Sequence, residues 1–334
     1  MGENGYEQLW KQHKLLKMSV PAIRLSSGIK MPIIGLGMWL SKPGEASESV
    51  RYALNNGYRL IDTAACYFNE QDLGKVLDEE YIKRGKLKRE DVFITTKLWC
   101  THNRAKEVEG QLCQSLEKLR TNYADLYLIH MPTSFDHEMK KPDTSDSLEK
   151  LWTGMESVFK KGLTKAIGVS NFSINQIERV QKSASTKIHN VQVECHLYFP
   201  QFELHEVCKK HGISLTAYAP LGSPGRVDWE VPKRGKMQWA EAKPVLEDEI
   251  VKKLSKKYGK TPAQICLRYL IERGISVIPK SVKEHRVKEN FDVFDFKLTE
   301  SEVEELKNVK NCQRLFFFDY MINHPEDPFK HERR

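Results

Sequence analysis

The sequence has little of what marks membrane, secreted or metal-binding proteins. It contains no run of about eighteen consecutive apolar residues, the length that a membrane-spanning helix needs. Its first residues form neither an apolar signal core nor an arginine-rich targeting helix. The 7 cysteines are an odd number without a Cys-x-x-Cys pair, which disfavours both a disulfide framework and a zinc site. These absences predict a cytoplasmic protein without a metal.

Nucleic-acid binding is disfavoured as well. The formal net charge is +8, but the basic residues form no stripe interleaved with aromatic residues and no known binding module. A mildly positive field suits a small polyanion such as a phosphorylated cofactor. We expect a small-molecule partner, with no nucleic acid, no membrane and no obligate protein partner.

Short apolar runs alternate with helix-period segments through most of the chain. The strand candidates are Ile33–Gly35, Arg59–Asp62, Val92–Lys97, Leu126–His130, Ala166–Ser170, Val191–Glu194, Ser214–Tyr218 and Ser276–Pro279. The helical candidates include Glu45–Asn56, Arg104–Leu119, Ser147–Lys161, Ile174–Ser183, Phe202–His211 and Pro262–Arg273. Eight strands with intervening helices over roughly 250 residues is the count of a (β/α)8 barrel.

Two further patterns favour the barrel. Gly57, Gly162, Gly212 and Gly274 each follow a helical segment and precede a strand, where a helix usually stops, and the strands are apolar on both faces, as covered sheets require. A doubly wound open sheet is the rival, but Gly35-Leu-Gly37 lacks the third glycine of the dinucleotide fingerprint. The fold class predicted is therefore α/β, a (β/α)8 TIM barrel with long loops.

Two stretches interrupt the alternation. Residues 1–18 are polar and are predicted to be an N-terminal extension of a single domain at 19–334. Residues 223–245 are rich in proline, glycine and charge and contain Trp229 and Trp239. They form a long loop after the seventh strand, which is either a lid over the catalytic face or a disordered insertion.

Four reactive side chains fall at one predicted rim. Asp62, Lys97 and His130 each end an apolar run, and Tyr67 lies five residues after Asp62. In a (β/α)8 barrel the strand C-termini form the face where the chemistry takes place. The group contains a proton donor but no obvious nucleophile, so it favours proton transfer coupled to the chemistry of a cofactor.

Each side chain has a chemical role that fits this interpretation. A free phenol has a pKa of about 10, so Tyr67 could act as a general acid, and the ammonium of Lys97 would lower that pKa by stabilising the phenolate. Asp62 would hold Lys97, and His130 could orient a carbonyl group. Taken singly, each residue also fits a structural role as a cap, an ion-pair partner or a packing group.

Several motifs resemble those of the aldo-keto reductases, in particular the aldose-reductase-like branch. They are Gly57-Tyr-Arg-Leu-Ile-Asp-Thr-Ala-Ala-Cys-Tyr67, Leu128-Ile-His-Met-Pro132, Gly168-Val-Ser-Asn-Phe172, Ile278-Pro-Lys-Ser281 and the tail His324-Pro-Glu-Asp-Pro-Phe329. The resemblance implies NADPH-dependent reduction of aldehydes and ketones, with the tail over the catalytic face. It also implies that Asp62, Tyr67, Lys97 and His130 are the catalytic tetrad and that Tyr67 protonates the developing alkoxide.

The resemblance further implies which residues bind the cofactor and the substrate. The cofactor residues are Ser170, Asn171, Gln192, Tyr218, Leu221, Ser223, Lys280, Ser281, Arg286, Glu289 and Asn290, with Lys280, Ser281 and Arg286 at the 2′-phosphate. The substrate pocket consists of Trp39, Trp99, Met131 and Phe135, closed on one side by the tail segment Cys312–Tyr320. No metal site is implied.

The chain departs from the family pattern at four positions. Met38 and Met131 replace a common threonine and tryptophan, and the second change puts aldose-type substrate preference in doubt. Leu40 and Gly225 replace a pair that clasps the cofactor, which predicts faster NADPH release. Two alternatives remain: an NADPH-binding sensor with little turnover, and an unrelated barrel enzyme such as a phosphate-sugar isomerase or a metal hydrolase.

Overall fold

The computed structural model describes residues 20–42, 44–228, 230–231, 235–236, 239, 241–310 and 312–333. The predicted extension at 1–18 and Trp229 lie outside these residues. The strands are β1 (Ala22–Arg24), β2 (Lys30–Pro32), β3 (Leu36–Gly37), β4 (Leu60–Asp62), β5 (Phe93–Leu98), β6 (Leu126–Ile129), β7 (Ile167–Ser170), β8 (Asn190–Glu194), β9 (Ser214–Tyr218), β10 (Glu230–Val231), β11 (Gly235–Lys236) and β12 (Ser276–Val277).

Parallel strands form the central sheet, in the order β3, β4, β5, β6, β7, β8, β9 and β12. Its two ends meet, because Ile34 and Val277 form a parallel bridge. The Gly35 amide donates to the Val277 oxygen at 2.9 Å, and the Val277 amide donates to the Ile33 oxygen at 2.9 Å. The sheet is therefore closed, which confirms the predicted (β/α)8 barrel.

The first barrel strand begins later than the predicted Ile33–Gly35. Regular pairing with β4 covers Leu36 and Gly37. A side chain at Gly35 would place its Cβ 2.4 Å from Leu60 Cγ, so the Leu60 side chain fills the space that a larger residue would need there. Ile34, one residue earlier, makes a single bridge to Val277 on the other side.

Helices cover the barrel between the strands. They are α1 (Glu45–Asn55), α2 (Glu70–Val76, continued by a π-helical turn at Leu77–Ile82), α3 (Val108–Leu119), α4 (Leu148–Lys160), α5 (Ile174–Ser183), α6 (Phe202–Lys210), α7 (Glu249–Tyr258), α8 (Pro262–Glu272), α9 (Glu284–Phe291) and α10 (Glu300–Lys307). Capping boxes at Ser173, Thr261 and Thr299 start three of them, because the hydroxyl oxygen accepts from the third helical amide. All six helix candidates named from the sequence are present, with ends moved by a few residues.

An antiparallel hairpin of β1 and β2 lies at the N-terminal end of the barrel. Its residues Leu25 and Met31 are buried and join an apolar cluster with the barrel residues Leu60, Phe93 and Leu128. The interior at this end is thus filled with apolar side chains. The buried polar residues Asp62, Lys97, Ser170, Gln192 and Glu194 lie at the other end, where the strands finish.

The loop predicted at residues 223–245 has local structure in its described part. It contains a 3₁₀ turn at Pro224–Asp228 and the antiparallel pair β10 and β11. The Trp239 ring packs against Phe316 of the C-terminal tail, with centroids 5.5 Å apart. The loop therefore meets the tail at the C-terminal face of the barrel, as expected for a segment on the catalytic side.

Within the described ranges, no helix has both the length and the apolar character needed to cross a bilayer.

Candidate active site

A buried ion pair lies at the C-terminal end of β4 and β5. Lys97 Nζ donates to Asp62 Oδ1 at 2.5 Å, and the two side chains are 0% and 3% exposed. The same ammonium donates to the Thr63 backbone oxygen at 2.9 Å and to the Tyr67 hydroxyl at 3.5 Å. All three N–H donors of the ammonium therefore have acceptors. Burial raises the pKa of Asp62, while Lys97 and Gln192 oppose that shift.

The Tyr67 phenol stands over this ion pair, in a 3₁₀ turn at Ala65–Tyr67. Burial raises the pKa of Tyr67 well above its usual value, and the nearby Asp62 carboxylate adds to the shift. The sequence instead predicts that Lys97 lowers this pKa. The direction differs because the lysine charge is largely neutralised by Asp62 and the phenol is desolvated. Tyr67 is consequently a protonated donor at neutral pH.

His130 follows β6 and lies between two aromatic rings. Its ring centroid is 5.5 Å from that of Tyr67 and 5.2 Å from that of Trp99. Burial, together with the charge of Lys97, lowers the pKa of His130 well below its ordinary value, so the imidazole is neutral. A neutral imidazole has one N–H donor and one acceptor nitrogen.

Cys66, which the sequence argument did not single out as a site residue, touches this histidine. Its Sγ lies 3.5 Å from His130 Nδ1. Burial raises the pKa of the Cys66 thiol, so the sulfur keeps its proton and can donate it to Nδ1. That contact would leave the other ring nitrogen, Nε2, as the N–H donor of His130.

Residues predicted at the nicotinamide end of the cofactor join the tetrad through hydrogen bonds. Gln192 Nε2 donates to Asp62 Oδ2 at 2.7 Å. Asn171 Nδ2 donates to the His130 backbone oxygen at 2.9 Å and to Ser170 Oγ at 3.1 Å. The Tyr218 hydroxyl donates to Asn171 Oδ1 at 2.7 Å. The first bond links the ends of β4 and β8, and the others link the ends of β6, β7 and β9. The Asn171 backbone amide joins the two groups by donating to the Gln192 backbone oxygen at 3.1 Å.

The other predicted cofactor residues lie further along the rim. Leu221 and Ser223 follow β9, and the Ser223 backbone oxygen accepts from the Arg226 amide at 3.0 Å. The remaining five are grouped after β12 and on α9: Lys280 and Arg286 are exposed, Ser281 and Asn290 are buried, and Glu289 is partly buried. The end of β12 adjoins β3, because the Gly37 amide donates to the Pro279 oxygen at 3.1 Å.

The predicted pocket residues form two aromatic groups with the tail. Trp39 meets Phe316, with ring centroids 5.5 Å apart. Trp99 and Phe135 both meet Tyr320 of the tail, at 6.4 and 5.9 Å. Met131 is 3% exposed and belongs to the second group. The tail therefore contacts the predicted pocket residues, as expected for a segment that closes the pocket.

Glu194, the last residue of β8, is a second buried group that sequence reasoning missed. It is 0% exposed, and its carboxylate accepts from the Leu315 and Phe316 amides at 2.6 and 3.0 Å and lies 3.0 Å from His196 Nε2. Its position two residues after Gln192 puts it on the same face of the strand. That alternation is the sequence signal that could have pointed to it.

The described residues include groups suited to proton transfer. They contain no group of three or more side chains suited to hold a metal ion. The phenol of Tyr67 has a proton to give, His130 is a neutral donor, and amide and hydroxyl groups converge beside them. This arrangement can protonate an oxygen that gains electrons from a neighbouring donor.

A family model matches residues 33–311, and it describes the Aldo/keto reductase family. Among curated proteins, aldo-keto reductase family 1 member A1 of Gallus gallus is 40% identical over 325 residues, which are 92% of this chain and 97% of that protein. The Homo sapiens protein of the same name is 39% identical over 298 residues, 86% of this chain and 89% of its own length.

Solved structures agree with these matches. The aldose reductase from Schistosoma japonicum superposes with a TM-score of 0.82 at 38% identity, covering 94% of this chain and 100% of its own. A Bombyx mori aldo-keto reductase in complex with NADP superposes with a TM-score of 0.84 at 35% identity, covering 93% and 99%. Both similarities extend over almost the whole length of either molecule.

Proposed function

This chain belongs to the aldo/keto reductase family, and from that premise we propose that it reduces aldehydes and ketones to alcohols with Tyr67 as the general acid. Family membership makes it an NADP-dependent oxidoreductase acting on carbonyl groups. The substrate is a small carbonyl compound. The observation that carries the proposal is the contact of the buried Lys97–Asp62 pair with the Tyr67 hydroxyl beside a neutral His130.

The donor groups at the rim suit the nicotinamide end of NADP(H). Ser170, Asn171 and Gln192 supply hydroxyl and amide groups for a carboxamide, and the Tyr218 ring supplies a flat face for stacking. When bound, NADPH would supply the hydride that reaches the carbonyl carbon. The chain's own residues would hold the acceptor and deliver the proton.

The adenine end would lie along β12 and α9. Lys280, which directly precedes the buried Ser281, and Arg286 on α9 are exposed cations, and such groups suit a 2′-phosphate. Glu289 and Asn290 would contact the adenine, while Leu221 and Ser223 would lie over the pyrophosphate. Strand-end and helix-terminal groups of this kind bind phosphate in many (β/α)8 barrels.

The proton step follows from the states of the two side chains. His130 would donate from Nε2 to the carbonyl oxygen and so fix its direction. As the oxygen gains charge, the O–H bond of Tyr67 breaks and the proton moves to the oxygen, giving the alcohol. The phenolate left behind would be stabilised by the ammonium of Lys97, which already points at it.

The mouth of the pocket would bind the rest of the substrate. Trp39, Trp99, Met131 and Phe135 provide an apolar lining, which is usual for small-ligand sites. We propose one catalytic domain at 19–334, with residues 1–18 as an extension. All 7 cysteines are free, which suits a reducing compartment, and we propose the cytoplasm.

A substrate panel tests the proposal. Sugars, aliphatic aldehydes, aromatic aldehydes and steroids would be offered with NADPH, and NADPH absorbance would be followed. Turnover of at least one class supports the proposal. Tight NADPH binding in a fluorescence titration without any turnover would instead favour a sensor, and an absence of NADPH binding would exclude both.

A further inference from the structure

The C-terminal tail is fixed to the barrel at two separate places. At its far end, Glu326 pairs with Arg179 at 2.9 Å, and His324 Nε2 lies 2.8 Å from the Ser134 backbone oxygen. At its near end, Glu194 binds the backbone amides described above. The segment between these anchors carries the aromatic side chains that contact the pocket.

The near anchor is built around the Glu194 carboxylate on a barrel strand, and the adjacent Gln313 amide donates to the Tyr198 backbone oxygen at 2.8 Å. Both oxygens of Glu194 are used, one by the Leu315 amide and the other by the Phe316 amide. Hydrogen bonds to an ionised acceptor are shorter and roughly twice as strong as neutral ones. Since β8 is part of the closed sheet, the carboxylate fixes the tail backbone relative to the barrel.

The near anchor sets the position of the Phe316 side chain. It is 2% exposed, and its ring meets Trp39 and Tyr218 edge to face, each with centroids 5.5 Å apart. It also meets Trp239 of the 223–245 loop at 5.5 Å. The ring therefore lies where a predicted pocket residue, a predicted cofactor residue and the loop converge.

We propose that Glu194 is a positioning residue for substrate specificity, because it holds Phe316 at a fixed place in the mouth of the pocket. The proposal rests on the carbonyl reduction proposed above. A substrate with an aromatic or bulky apolar group beside its carbonyl would pack against the Phe316 ring. A short aliphatic aldehyde would react without reaching it, so Glu194 affects the two classes differently.

A purely structural role for Glu194 makes a different prediction. Loss of a buried acceptor would then lower stability and depress turnover of every substrate alike. The informative quantity is therefore the ratio of kcat/KM for 2-naphthaldehyde to kcat/KM for propanal, measured with NADPH. We expect Glu194→Gln to reduce this ratio by on the order of tenfold, mainly through KM of the larger aldehyde.

Phe316→Ala supplies the second variant. It should reduce the ratio in the same direction, and Glu194→Gln in that background should change the ratio little further, because no ring remains to be placed. Glu302→Gln is the matched control. Glu302 is also a buried carboxylate, 7% exposed, but it caps α10 and accepts from the Thr299 amide at 2.8 Å. This control should keep the wild-type ratio.

A readout independent of turnover is cleavage of the chain by trypsin at Lys310 and Arg314. Glu194→Gln should be cut there faster than Glu302→Gln, because the near anchor loses its charge and one of its two acceptor oxygens. Equal losses for both aldehydes, additive effects of the two substitutions, or unchanged cleavage would overturn the proposal. If Glu194→Gln does not fold, Glu194→Asp takes its place in the same measurements. If the wild type reduces no class of the substrate panel, the proposed reductase function fails; if it reduces other classes but neither of these two aldehydes, the specificity proposal fails alone.

Discussion

Gln192 Nε2 donates to the Oδ2 atom of Asp62 at 2.7 Å, on the opposite side of the carboxylate from Lys97. Asp62 is therefore held from two sides, and its negative charge faces the ammonium rather than the pocket. The arrangement couples β8 to β4 across the barrel.

Asp62→Asn should remove this charge and leave the Lys97 ammonium buried without a counter-ion. We expect the free energy of unfolding to fall by about 3–5 kcal/mol, measured by urea denaturation, together with a loss of turnover. Glu206→Gln breaks an exposed pair with Lys209, whose side chains are 71% and 55% exposed. That control should leave the free energy of unfolding nearly unchanged, and a similar loss in both variants would contradict a special role for the buried pair.

Tyr67→Phe removes only the proposed proton donor. Turnover should fall by on the order of 10²–10⁴-fold, while NADPH affinity, measured by fluorescence titration, should stay within about twofold. Tyr123→Phe is the control, since that ring stacks on Arg89 and Lys165 away from the tetrad. Retention of most of the activity by Tyr67→Phe would show that another group gives the proton.

Cys66→Ala should remove the thiol contact at His130 Nδ1, so that the imidazole proton is no longer held on Nε2. The loss of one neutral hydrogen bond should lower kcat/KM by about 2–10-fold. The affinity for NADPH should not change. Cys66→Ser keeps a donor at the same place and should retain more activity than the alanine variant. Equal activity in the two variants would argue that the thiol does not orient the ring.

Lys280→Met combined with Arg286→Ala should weaken NADP binding far more than NAD binding. Each charge-assisted bond to the 2′-phosphate is worth about 1.5–3 kcal/mol, so the preference for NADP should fall at least about tenfold. The control is Lys288→Met combined with Lys297→Ala, which removes the same amount of positive charge at two other exposed positions. Equal weakening of NADP and NAD, or the same loss in the control, would refute the 2′-phosphate assignment.

Gly168→Ala should destabilise the barrel at β7. The added Cβ would lie 2.2 Å from the Asn190 backbone oxygen, so two strands must separate, and a loss of about 1–3 kcal/mol is expected. Gly110→Ala is the control, since a Cβ there meets nothing within 4 Å. In an exposed helical position, alanine stabilises the folded protein by roughly 0.5–1 kcal/mol relative to glycine. Both are measured as shifts of Tm.

The barrel could be predicted from the sequence because its strands are short apolar runs separated by helix stops. Gly57 and Gly274 have positive φ values of 95° and 75°, which glycine adopts readily. Four helices, α2, α7, α9 and α10, were not among the named candidates. Three of these, α2, α9 and α10, have only 7, 8 and 8 residues, so each offers little length over which a helical period can be recognised.

The tetrad was predictable for a different reason. Asp62, Lys97 and His130 end neighbouring strands, so the topology alone brings them together. Glu194 and Cys66 were not predicted as site residues, because the sequence does not show which groups they contact. The Glu194 carboxylate binds tail amides 121 and 122 residues away, and backbone donors carry no sequence signature. The direction of the Tyr67 pKa shift likewise depends on burial, which composition does not reveal.

The bridge between Ile34 and Val277 has a consequence for biosynthesis. As the ribosome releases the chain, β3 can pair with β4 early, but its other edge stays open until nearly all the protein has been made. An exposed strand edge can pair with the wrong neighbour. A nascent or truncated chain that ends before β12 should therefore depend on chaperones to avoid aggregation.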